Sequence, residues 1–191
     1  WAYFDVPFGQ DRETIGACFA ELSDIFPAGE IIHRAVDNLC RSRLGLYLHT
    51  ANRGNRVCLR EVATNAEFEA LIPTGFKGEL GSYLLLRLLP PLMGEVAYHV
   101  SVTTPYVLRG YAESEWLAYL ARFKIVPGTV GMEERLHQHF KFGRDVDYWS
   151  EYLFYGYANY RSDAIILTGL PDRRNTQPQH ESFDPRTARL R

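Results

Sequence analysis

Residues 44–104 carry the pattern that most limits the possible folds. Apolar side chains recur there at a period of two, and turn residues interrupt them every few positions. Leu44, Leu46 and Leu48 alternate with Gly45, Tyr47 and His49, and Asn52-Arg53-Gly54-Asn55 follows as a turn. With Thr64-Asn65 as a two-residue loop, Val57 faces Ile72, Leu59 faces Ala70 and Arg60 faces Glu69. Apolar pairs then share one face and opposite charges the other, as cross-strand energetics favour. Ser82–Leu89 is apolar on both faces, as a strand in the middle of a barrel or sandwich is. Pro90-Pro91 ends it, because proline cannot donate to a ladder. In Glu95–Thr104, Val96, Tyr98, Val100 and Val102 are expected inward, with Ala97, His99, Ser101 and Thr103 outward. Five short strands in these 61 residues predict a small, bent antiparallel sheet, with an SH3-like or OB-like barrel as its natural closures.

Helical periodicity flanks this region. Ile15, Cys18, Phe19 and Leu22 form one apolar stripe in Asp11–Phe26, with Asp11 as N-cap and Pro27 and Gly29 as the stop. Ile32, Val36, Leu39 and Cys40 form another in Glu30–Arg43, so an N-terminal helical hairpin is expected. Glu113–Lys124 and Met132–Phe142 follow the sheet with stripes of their own, and Asp163–Thr168 reads as one more short strand. Asp145–Tyr160 is read as an aromatic helix whose Tyr and Trp side chains cover nearly its whole circumference. The class is therefore α+β, with a helical hairpin, a bent sheet over residues 44–110 and a C-terminal helical layer. Residues 1–171 are read as one domain and residues 172–191 as a flexible polar tail.

Charge narrows the functional classes. Lys+Arg 21 against Asp+Glu 23 leaves −2, so no whole-molecule attraction to nucleic acid or anionic membrane is expected. Locally the balance differs. Residues 1–40 hold seven acidic side chains against two basic ones, whereas residues 41–60 hold five arginines and no acid. Three cysteines without a CxxC spacing argue against a disulfide framework and suit a reducing, cytoplasmic setting. The longest apolar run, Tyr83 to Met93, is interrupted by Arg87 and two prolines and is too short for a membrane helix. Opening on Trp1, the chain is read as part of a longer cytosolic product.

Catalytic signatures are missing: there is no P-loop, GxSxG, HExxH or dinucleotide fingerprint. No cofactor and no metal is expected. Asp145-Val146-Asp147 fits a helix cap as well as a cation site, and the glycines at 75, 78 and 81 fit a loop between strands. Glu133 and His137 lie four apart on an expected helix, an arrangement that suits a solvated face as well as a tuned imidazole. His99 shares a strand face with Ser101, yet same-face neighbours are about 7 Å apart, too far for a nucleophile–base hydrogen bond. Arg87, inside an apolar strand, needs a carboxylate or an anionic ligand.

The reading that follows is a non-enzymatic binding or interaction module. A protein partner or a homodimer would dock through helix 145–160, with Tyr148, Trp149, Tyr152 and Tyr155 as anchors. Two alternatives stand beside it. One is a hydrolase using His99, His137 or Glu133. The other is single-strand nucleic-acid binding through residues 41–60, with Arg53 and Arg56 on phosphates and Tyr47 and His49 beside them.

Overall fold

The computed structural model describes residues 2–11, 13–25, 29–92, 96–142 and 163–171. Seven strands form one sheet: β1 Leu44–Arg53, β2 Arg56–Glu61, β3 Glu67–Leu71, β4 Tyr83–Leu89, β5 His99–Ser101, β6 Tyr106–Arg109 and β7 Ile165–Thr168. Their order is β1-β2-β3-β5-β4-β6-β7, and β1 also pairs with β4, so the first five strands close into a small barrel. The expected α+β class is observed.

The sheet is mixed, not antiparallel throughout. β1 and β5 both run antiparallel to β4, and β3 regains the direction of β1 after two reversals. Hence β3 and β5 must run the same way, and they pair in parallel, as β6 and β7 also do. This is the Greek-key order of an OB-like barrel, not the meander of an SH3-like one.

The β2–β3 hairpin forms, in a register two residues from the expected one. Val57 lies opposite Ala70, Leu59 opposite Phe68 and Arg60 opposite Glu67. Val62 and Ala63 leave the ladder to join the core beneath the C-terminal helices, so residues 62–66 make the connection. Asn65 supplies its left-handed residue, at φ 61°. A shift of two preserves parity, and Val57, Leu59, Ala70 and Ile72 still point into the barrel.

The strand expected over Glu95–Thr104 pairs only across His99–Ser101, and its alternation reverses at the end. Ser101 is buried while Val102 is exposed. The Arg87 amide donates to Thr103 Oγ1 at 3.1 Å, and the Ser101 hydroxyl donates to the Thr103 carbonyl at 2.7 Å. The chain thus wraps over Arg87 and leaves the strand geometry.

Two apolar clusters result. Tyr47, Val57, Leu59, Leu84, Leu86 and Leu88 fill the barrel, while Leu44, Leu46 and Leu85 face outward toward the helices. β4 is therefore buried on both sides, as its sequence implies. Gly45 is required here, because a Cβ at that position would run into the Tyr47 ring.

Helix α4, Glu113–Arg122, lays Trp116, Tyr119 and Leu120 on the outer cluster. Helix α5, Met132–His137, adds Met132 and Leu136 and continues into a π-helical turn, Gln138–Phe142. Against this turn lies α1, Ala2–Asp5, and the expected hairpin of α2, Ile15–Ile25, and α3, Glu30–Arg41, is present. The cap of α2 is Thr14, whose hydroxyl accepts from the Ala17 amide at 3.1 Å, so the helix starts later than an Asp11 cap implies. The helix expected over 145–160, with Tyr148, Trp149, Tyr152, Tyr155 and the Asp145/Asp147 pair, lies outside the described residues, as does the tail expected over 172–191.

Candidate functional site

The basic segment 41–60 spreads over three elements, and each of its arginines meets a carboxylate. Arg41 pairs with Asp37 at 3.3 Å, Arg43 with Glu61 at 2.7 Å and Arg60 with Glu113 at 2.7 Å. Glu69 holds both Arg56, at 3.1 Å, and Arg53, at 3.8 Å. The expected Arg60–Glu69 pair is thus replaced, because the register shift puts Cys58 opposite Glu69. Tyr47 is buried inside the barrel and cannot stack on a base. His49 is buried too, with one ring nitrogen 3.2 Å from the Glu79 carbonyl and the other 3.0 Å from Asn52 Oδ1.

A shallow cavity of about 270 Å³ lies at β1–β3, lined by Arg53, Cys58, Leu59, Glu67, Phe68 and Glu69 among others. Arg56 stacks over the Tyr98 ring nearby, at 5.1 Å from its centroid. The lining mixes cations with acids and is compensated, so it offers no field of one sign.

The histidines do not converge. The His99 ring packs edge-on against Phe68 at 5.0 Å, and burial pushes its pKa below the ordinary value against a bond with the Glu69 backbone. His137 lies among Lys141, Arg43 and Glu134, and burial followed by those cations lowers its pKa. His99 and His137 sit on different elements, β5 and α5. Glu133 is exposed on α5 and bears on Arg43.

Another Ser–His contact was not foreseen from the sequence: Ser23 Oγ lies 3.2 Å from His33 Nδ1, between α2 and α3. The Ser23 hydroxyl donates to the Ala20 carbonyl at 2.7 Å, so its proton is already committed to the helix backbone. That contact staples the hairpin and does not activate a nucleophile. Among the described residues, no group of three His, Cys, Asp or Glu side chains is placed to hold a metal ion.

Arg87 finds the carboxylate its buried position demands. It pairs with Asp5 of α1 and donates to the Ser42 carbonyl and hydroxyl at 3.1 and 2.9 Å. Lys141 also donates to the Ser42 carbonyl, at 3.0 Å, and lies 3.5 Å from Asp5. Arg87 therefore acts inside the fold, fastening α1 and the π-helical turn to β4.

The least ordinary surface belongs to the N-terminal hairpin. Helix α2 turns its small residues inward: Gly16 and Ser23 are buried, and a Cβ at Gly16 would run into the Phe4 ring. Its large apolar residues face out. Ile15, Phe19, Leu22 and Ile25 are 47–75% exposed, and Ile31 and Ile32 at the start of α3 are 49% and 52% exposed. The stripe is legible in the sequence; its outward direction is not. That direction follows from the small residues, which alone permit α1 and α3 to approach.

No protein-family model, no curated protein and no solved structure matches this chain. Among the described residues no helix is long and apolar enough to cross a membrane.

Proposed function

We propose that this protein is a non-enzymatic interaction module that docks a protein partner through the outer face of α2 and α3. The observation that carries the reading is the row Ile15, Phe19, Leu22 and Ile25, four large apolar side chains on one helix face left in water. Contiguous exposed apolar surface of this kind marks a protein interface. The absence of a catalytic constellation in the sequence and the separate surroundings of His99 and His137 support binding over hydrolysis. The three cysteines are free thiols, which supports a cytoplasmic setting.

A second reading places a single-stranded nucleic acid on the outside of β1–β3, where OB-like barrels bind such ligands. The strand order favours it, and the ion pairs of all five arginines weigh against it.

The test is the pair of variants Phe19→Gln and Leu22→Gln, with urea unfolding and binding of an apolar fluorescent dye as readouts. A docking face in water predicts stability unchanged within about 0.5 kcal/mol. It also predicts dye binding by the native protein that both substitutions reduce. A loss of more than about 2 kcal/mol per substitution, with no native dye binding, makes the face a packed core and removes the reading.

A further inference from the structure

We infer that the partner of this face is an amphipathic helix with basic flanks. The inference rests on the interaction reading above and goes on to the chemistry of what docks. Helix α2 presents Ile15, Phe19, Leu22 and Ile25 at steps of four and three, a straight apolar row about 15 Å long at the rise of an α-helix. Ile31 and Ile32, in the first turn of α3, are exposed as well. A ridge of this length and spacing matches about three turns of a helix laid along it, with apolar residues at i, i+3 or i+4, and i+7.

Charge chooses among the occupants. Asp11, Glu13 and Glu21 are exposed on and beside α2, and no ion pair among the described residues neutralises them. The cations of the neighbouring helix are already engaged, Arg34 with Glu30 and Arg41 with Asp37. Among the described residues, the acids beside the apolar row thus have no counter-charge. A second copy would bring the same acids to the interface, and like charges brought together there cost affinity. An anionic membrane surface and an acidic peptide are opposed for the same reason. Lys and Arg flanking the apolar residues of the incoming helix supply the missing charge and steer its approach.

The probe is a fluorescein-labelled 18-residue Leu/Lys peptide that folds as an amphipathic helix. Its comparators are a Leu/Glu peptide of the same pattern and a scrambled Leu/Lys peptide. Fluorescence anisotropy with the whole chain is expected to show binding of the patterned Leu/Lys peptide alone. That binding should weaken at least tenfold in Phe19→Gln and several-fold in Glu13→Lys/Glu21→Lys, and it should fall as salt is raised. Circular dichroism and melting confirm that each variant is folded, and Leu22→Gln repeats the apolar test should Phe19→Gln fail it.

Equal binding of the Leu/Glu or scrambled peptide, or binding indifferent to Phe19→Gln and Leu22→Gln, overturns the inference. A dimer seen in sedimentation and lost in Phe19→Gln also overturns it, while leaving the interaction reading intact with a second copy as occupant. Native dye binding without any peptide binding or dimer overturns the basic helix alone. A face that proves to be packed core removes both.

Discussion

Arg60 and Glu113, 53 positions apart, form a two-pronged ion pair: Nη1 donates to Oε1 at 3.2 Å and Nη2 to Oε2 at 2.7 Å. The Tyr83 hydroxyl donates to the same carboxylate at 3.3 Å. One acid at the first turn of α4 therefore gathers β2 and β4 beneath the helix. The Arg60 guanidinium, chiefly through these hydrogen bonds, holds the Glu113 carboxyl below its ordinary pKa of 4.5. Both side chains are partly exposed, so the coupling is modest. A double-mutant cycle with Arg60→Met and Glu113→Gln should give about 1 kcal/mol. Because the folded pKa is depressed, this stability is present above pH 4.5 and is lost as pH falls through the folded value. Urea unfolding should therefore show wild type losing stability below pH 4.5 faster than Glu113→Gln. Parallel curves would show that the pair contributes nothing.

The buried Asp5 carboxylate faces the Arg87 guanidinium and, at 3.5 Å, the Lys141 ammonium. Burial pushes the Arg87 pKa down to about 10, and burial followed by the Arg87 charge pushes that of Lys141 down to about 8. Asp5→Asn removes the anion and leaves two cations in the interior, at a cost of about 3–5 kcal/mol. Asp5→Asn/Arg87→Met should recover a large part of that loss, because the uncompensated charge goes with the arginine. Equilibrium urea unfolding reads both. If Asp5→Asn costs less than about 1 kcal/mol, α1 is held by something other than this ion pair.

His139 is enclosed by aromatic rings, with Phe123 at 4.4 Å and Phe140 at 5.0 Å, and its Nε2 is 3.1 Å from the Tyr119 hydroxyl. Burial pushes its pKa from 6.5 down to about 4. Between those values the unfolded chain binds a proton that the folded chain excludes. Stability therefore rises with pH across this window and falls on acidification. From pH 7 to pH 4.5 the loss due to this residue should be roughly 2 kcal/mol. His139→Gln can still meet the Tyr119 hydroxyl and does not titrate, so its urea midpoint should be flatter over the same range. Equal slopes for the two proteins would show that the imidazole already titrates normally in the fold.

Local pattern made much of the barrel legible. Period-two alternation marked five strands in residues 44–104, and five strands are present, with Leu84, Leu86 and Leu88 on one side of β4 and Leu85 on the other. β6 was not foreseen. At four residues, Tyr106–Arg109 is too short for periodicity to stand out, and it is a strand because β4 offers it an edge and β7 covers it. The hairpin register also escaped, since it depended on whether Val62 and Ala63 stay in the ladder or join the core. That choice belongs to the helices above them.

The candidate sites divide in the same way. A buried arginine needs a counter-charge wherever it sits, so the demand at Arg87 could be read from one strand. That the supplier is Asp5, 82 positions away, could not. The five arginines at 41–60 formed a basic segment in one dimension and a set of separate ion pairs in three.

Composition and periodicity by themselves indicated the class, a small bent sheet and the two apolar faces of β4, because periodicity is read within each segment, whereas closure joins β1 to β4 about 40 positions away. Tertiary structure alone decided the parallel β3–β5 pairing, the partners of every charge at long range and the outward turn of the α2 stripe. Each of those depends on which surfaces meet. A helix with small residues on one side and large apolar ones on the other can bury either, and here α1 and α3 pack against the small side and leave the large one in water.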